Sequence, residues 1–176
     1  MHVPGFLTYP LEMRSADLSD EKVSRVVAAA AAAGVEIAPV VFEHETRTSA
    51  EAAREVGCDV REIVKSLVFG VVGTDEAVLL LLSGADRVDL EEAAAALGVE
   101  GLERAAPELA KKVTGYSIGA TPPFGHRSRV RVAMDDRLLE LDQVWAAGGR
   151  TDSVFQISSE DLKRASNAMV TRLREG

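Results

Sequence analysis

Two adjoining runs carry the densest apolar pattern in the chain, "IVKSLVF" from Ile63 to Phe69 and "AVLLLLS" from Ala77 to Ser83, with a turn at Gly73-Thr74-Asp75 between them. Both suit β-strands, and their short connection predicts a hairpin. In the first run, Ile63, Leu67 and Phe69 share a face with Lys65, while Val64, Ser66 and Val68 share the other. Both faces are mainly apolar, so a lysine stands among packing residues. A buried ammonium must find an anion, reach water or lose its proton, so the site has to account for Lys65.

Elsewhere the pattern alternates between helix and strand. Residues 1–18 have no clear period and contain Pro4, Gly5 and Pro10, which predicts an irregular N-terminal arm before a single domain over 19–176. A helix is expected from Ser19 or Asp20 to Ala33, rich in alanine and stopped by Gly34. "VEIAPVVFE" (35–43) reads as a strand weakened by Pro39. Thr48 and Glu51 have the spacing of a capping box for a second helix ending at Gly57. Further helices are predicted over 88–98 and 106–115, and strands in "RVRVAMD", "QVWAAGG" and "SVFQIS", with a turn at Asp135-Asp136. A last helix starts at Ser158 or Ser159 and runs into "EDLKRASNAMVTRL". Short turns between neighbouring strands exclude a purely doubly wound parallel sheet. The expected class is α/β of the α+β kind, a mixed, largely antiparallel sheet packed with helices.

Composition narrows the function classes. With 47% apolar and 27% charged residues, the chain reads as an ordinary globular protein. A formal charge of −8 argues against broad, non-specific nucleic-acid binding and leaves room only for a local basic patch. The candidate is "HRSRVRV", where Arg127, Arg129 and Arg131 would form one stripe on a strand; a solvated strand face is the plainer reading. The single Cys58 and the absence of an apparent leader point to a cytoplasmic location, and the longest apolar run is too short to span a membrane. Walker, Rossmann, zinc-spacing and Gly-x-Ser-x-Gly signatures are absent, and His2, His44 and His126 are scattered, so no metal or cofactor is expected.

A second unusual stretch is Gly119-Ala120-Thr121-Pro122-Pro123-Phe124-Gly125. Its prolines fix φ and its glycines permit conformations closed to other residues, so it can hold bare amides toward a ligand oxygen or simply join helix to strand. Together, "VKSLVF", "VDLEEAAAALG", "TGYSIGATPPFG" and "VWAAGG" resemble, in order and separation, the YbaK-like aminoacyl-tRNA deacylases, free-standing relatives of the editing domain of prolyl-tRNA synthetases. The resemblance spans about 42–163. It implies a barrel-like mixed sheet and hydrolysis of the ester joining a wrong amino acid to the 3′ end of a tRNA.

By that resemblance Lys65 and Gly119 serve catalysis, Lys65 as a counter-charge for the terminal nucleotide and the amides near Gly119 as orienters of ester and water. Ser66, Thr121, Pro122, Pro123 and the rim glycines Gly148 and Gly149 are implied as substrate contacts; Arg150 joins them as the neighbour of that pair, and His126 because it directly follows the loop, where a surface histidine is the plainer reading. Phe42 and His44 resemble the family's aromatic-Glu-His stretch, as pocket wall or as core packing. In the branch that removes cysteine from proline tRNA, a serine precedes the glycine pair and an acidic residue follows it. Ala147 and Val154 stand there in this chain, so alanine or serine is at least as good a candidate as cysteine. The implied partner is misacylated tRNA, with an aminoacyl-tRNA synthetase as a second candidate. The acidic charge and the lack of an evident general base keep open an alternative, a non-catalytic module that binds a nucleotide or aminoacyl-adenylate-like ligand.

Overall fold

A computed structural model describes residues 13–176, so most of the N-terminal arm lies outside the described residues. The predicted hairpin forms as β3 (Val64–Val71) and β4 (Ala77–Ser83), paired antiparallel with Lys65 opposite Leu82 and Ser66 opposite Leu81. β4 is buried on both faces, which is why its sequence is continuously apolar rather than alternating. Leu79 and Leu81 enter one core, and Val78, Leu80 and Leu82 enter a second.

Around the hairpin, β5 (Leu102–Arg104) joins β3 antiparallel, while β6 (Arg131–Asp135) and β9 (Met169–Thr171) extend the sheet from β4 by parallel pairing. A second, antiparallel sheet has the order β1 (Arg14–Ser15), β2 (Val40–Val41), β8 (Ser153–Ser158), β7 (Gln143–Ala147). One parallel bridge, Ile63 to Trp145, ties the two sheets edge to edge. The arrangement is therefore mixed, largely antiparallel and barrel-like, without closing.

The main core lies between the sheets and draws Leu79 and Leu81, Met134, Val144, Phe155 and helical Val26 and Ala30 together. The helices begin and end where capping chemistry dictates. In α1 (Glu21–Ala32) the Asp20 carboxylate accepts from the first turn, and in α2 (Ser49–Val56) Thr48 accepts from the Glu51 N–H while Gly57 closes the end at φ 73°. α3 (Leu90–Leu97) is capped by Asp89, and α4 (Pro107–Thr114) carries proline in its first turn and Gly115 at its end.

Four expectations need correction. The last helix, α5 (Ser159–Ser166), stops early: Asn167 adopts φ 50°, a left-handed stop, and the β-branched Val170 and Thr171 continue as β9. The strand expected over 35–43 narrows to Val40–Val41, immediately after Pro39. Arg14–Ser15, in the segment read as irregular, forms β1. Finally, β6 starts only at Arg131, so Arg127 and Arg129 do not form a strand stripe with it.

Candidate functional site

The hydrogen-bond pattern along β3 exposes a gap in the sheet. Gly84 N–H donates to Ile63 O (2.7 Å) and Val71 N–H to Glu76 O (2.9 Å), both at matched positions of the β3–β4 register. Antiparallel ladders alternate, so odd-numbered residues of β3 aim their main-chain groups at β4 and even-numbered ones aim them away. On that far side β5 pairs only with Phe69 to Val71, and the second sheet is bridged only at Ile63, with β7 running close beside the start of β3. Ser66 stands midway between these contacts. Among the described residues no strand pairs with its outward N–H and C=O. Its side-chain Oγ is buried and has no hydrogen-bond partner.

Lys65 projects to the opposite face. Its Nζ donates to the main-chain oxygen of Asp86, just beyond the end of β4, and the side chain is half-buried. Burial pulls its pKa below the ordinary lysine value; the Asp86 charge opposes that shift, and Arg87 adds to it. The Asp86 carboxylate is not spent on Lys65. Its Oδ1 accepts from Arg137 Nη1 at 2.7 Å, while its Oδ2 is buried without a partner. The ammonium is therefore held by a carbonyl, with two N–H groups beyond that bond.

The glycine loop is a stiff turn. Ala120 N–H donates to Ser117 O (3.0 Å), and Gly119, third of those four residues, has φ 87°, the place and sign that a type II turn reserves for glycine. Gly119 is exposed, and a Cβ there would meet nothing within 4 Å, so the backbone is bare to solvent. Thr121 Oγ1 donates to the same Ser117 oxygen at 3.2 Å; Thr121, Pro122 and Pro123 are buried. His126 then folds back, its Nε2 donating to Pro122 O at 2.7 Å, and burial holds its pKa below the ordinary histidine value.

α4 lies over the Gly70 end of β3, where a Cβ on Gly70 would meet Leu109. Gly70 shares its face with Ser66, and the loop that follows α4 is bracketed by Tyr116 and Phe124, both in the core cluster of Val64 and Val68. The loop thus belongs to the Ser66 side of β3, and Lys65 to the other. The fold sets the two proposed catalytic groups on opposite faces of one strand, with the open edge between them.

Tyr116 joins the loop to the glycine pair. Its hydroxyl donates toward Gly125 O (3.1 Å) and Lys22 O (3.3 Å), and its ring lies 3.1 Å from where a Cβ on Gly149 would sit. Gly149 has φ 104°, and a side chain there would also meet Lys22 O at 2.9 Å. Gly148 is packed against Ser153. Arg150 is largely occupied: it grips Asp152 through Nε (2.8 Å) and Nη2 (2.9 Å), and Asp20 through Nη1 (3.0 Å). Phe42 is buried with Ile63, Trp145 and Val154, which gives it a packing role at the foot of β3, whereas His44 is exposed. Tyr116, Asp86 and Arg137 were not singled out from the sequence; only the folded chain brings them to the loop and the lysine.

A cleft of about 460 Å³ is bordered by Pro123, His126 and Arg129 and does not include Lys65 or Gly119. Among the described residues no three His, Cys, Asp or Glu side chains gather as a metal-binding set, and no helix is long and apolar enough to cross a membrane.

The family model of the aminoacyl-tRNA editing domain matches residues 43–165, a span that includes β3, the glycine loop and the glycine pair. The chain belongs to that family. It is 27% identical over 138 residues to the multifunctional Ser/Thr-tRNA deacylase ProXp-y of Escherichia coli K12, covering 76% of this chain and 83% of that protein. It is 30% identical over 133 residues to the proline–tRNA ligase of Acidithiobacillus ferrooxidans, covering 74% of this chain but only 23% of the ligase. A solved structure described as a candidate trans-editing enzyme for prolyl tRNA synthetase superposes with a TM-score of 0.81 at 39% identity, covering 89% of this chain and 99% of that one.

Proposed function

We propose that this chain is a trans-acting deacylase that hydrolyses misacylated tRNA carrying a small amino acid such as alanine, serine or cysteine, with proline tRNA as a candidate carrier. The observation that carries the reading is the open edge of β3 at Ser66, set between a tethered lysine on one face and a stiff glycine turn on the other. The length shared with a Ser/Thr-tRNA deacylase supports a free-standing enzyme.

An aminoacylated 3′ end brings a phosphate, a ribose and an ester carbonyl. Lys65, with N–H groups beyond the Asp86 bond, meets the phosphate of the terminal nucleotide. The main-chain groups and hydroxyl of Ser66 hold the extended end along the strand edge. The exposed main-chain N–H of Gly119 polarises the ester carbonyl and orients water. Water attacks the carbonyl carbon, the bond to the ribose oxygen breaks, and that oxygen leaves as a hydroxyl after taking up a proton. The products are free amino acid and uncharged tRNA. An aminoacyl ester is already reactive, so orientation supplies much of the acceleration without a strong protein base.

The test is a panel of tRNAs charged with alanine, serine, cysteine, threonine and proline, followed for release of amino acid. Hydrolysis above the spontaneous rate for at least one mismatched pair is expected. Binding without hydrolysis across the whole panel would leave only the non-catalytic module.

A further inference from the structure

The chain carries −8 overall, yet from Ala105 to Met134 it has five cations and a single carboxylate, Glu108. This stretch contains the glycine loop. Lys111 and Lys112 lie exposed in the last turn of α4, and Arg127 and Arg129 lie exposed just after the loop. Two main-chain bonds stitch these halves together: Arg127 N–H donates to Thr114 O (2.9 Å) and Ser128 N–H to Val113 O (3.0 Å). The two segments therefore meet at the base of the loop and bring the four residues to one region although the loop separates them in sequence. Among the described residues none of the four has a carboxylate within salt-bridge distance. Neighbouring Arg25 and Arg131, by contrast, are paired with Glu21 at 2.7 Å and Glu76 at 3.5 Å. Beside the patch, Ser128, Arg129 and Arg131 form one wall of the 460 Å³ cleft.

Cations clustered without carboxylate partners repel one another, and that local positive potential on an acidic protein attracts anions selectively at that one place. The spread over two segments suits a polyanion rather than one small anion. We infer that Lys111, Lys112, Arg127 and Arg129 grip the phosphodiester backbone of an RNA, leading its 3′ end to the loop. The inference rests on the deacylase reading for the identity of that RNA, but the binding surface can be tested separately.

The probe is uncharged tRNA, with binding to the full chain followed by fluorescence anisotropy from 50 to 200 mM salt. Each neutralised phosphate adds about 0.7–0.9 to the slope of log affinity against log salt, so replacing all four cations by glutamine should flatten the slope by roughly three. A control, Arg54→Gln with Lys163→Gln, both exposed and outside the patch, should leave it unchanged. The quadruple variant should still hydrolyse an aminoacyl-adenosine ester, too short to reach the patch, at the wild-type rate. Single substitutions, each flattening the slope by about one, replace the quadruple variant if it unfolds. No binding of tRNA by the wild-type chain, or an unchanged slope in the variants, overturns the surface. Patch-dependent RNA binding without any deacylation would instead retain the surface and remove the deacylase reading.

Discussion

Lys65 is a charge that folding tolerates rather than welcomes. Its pKa lies below the ordinary value of 10.5 mainly because of burial, so the unfolded chain binds this proton more tightly than the folded one. The penalty is fully present at neutral pH and is relieved as pH rises through the folded pKa toward 10.5. Lys65→Met should therefore fold with a melting temperature no lower than the wild type at pH 7 while losing deacylation; calorimetry and activity measured side by side check this. Ser66→Ala behaves alike for a different reason. Removing a buried hydroxyl that has no partner costs no hydrogen bond, so stability should hold or rise while turnover falls. His126 gives a pH signature of the same sense in a lower window. Its folded pKa lies below 6.5, so the unfolded chain protonates first as pH falls, and stability drops from about pH 6.5 down through the folded pKa. Denaturant midpoints from pH 7 to 5 should fall less in His126→Gln, whose amide can still donate to Pro122 O. Cys58, pushed up to about 11 by burial and the nearby Glu62 and Asp59, should react sluggishly with iodoacetamide at pH 7.

The elements decide which of these residues meet. Much of β3 and β4 was legible because two apolar faces and a glycine turn leave few other solutions, and the same alternation put Lys65 and Ser66 on opposite faces. The helix ends were legible wherever a glycine or an N-cap residue stood at the boundary, as at Gly57, Asp89 and Gly115. The end of α5 was not, because Asn167 is a weaker stop signal than glycine and the sequence beyond it remains compatible with helix until β9 pairs with β6. The open edge of β3 was invisible for a deeper reason. It depends on which residues β5 and β7 leave uncovered, and β5 is three residues long with no pattern of its own. The resemblance implies the glycine pair as substrate contacts, whereas the folded chain makes Gly149 a packing point against Tyr116 and Lys22. Gly149→Ala would meet main-chain oxygen at 2.9 Å with φ at 104°. A loss of about 2 kcal/mol or more is expected, seen as a melting temperature lower by roughly 5 °C or more.

At the scale of the whole molecule, an open, two-sheet fold leaves one strand half-paired on its outer edge, and the site proposed there has three sides: a lysine face, a strand edge and the exposed Gly119 of a stiff turn. Its acidic surface is interrupted beside that turn. Membership of the aminoacyl-tRNA editing domain family fixes the chemistry to be tried, and the geometry says which group should matter most. The most direct measurement is the single-turnover hydrolysis rate of the best misacylated tRNA by the wild type and by Lys65→Ala, both checked for folding. A fall of about 100-fold or more is expected, the scale of losing one preorganised electrostatic contact. A folded Lys65→Ala protein that hydrolyses at the wild-type rate would contradict the account.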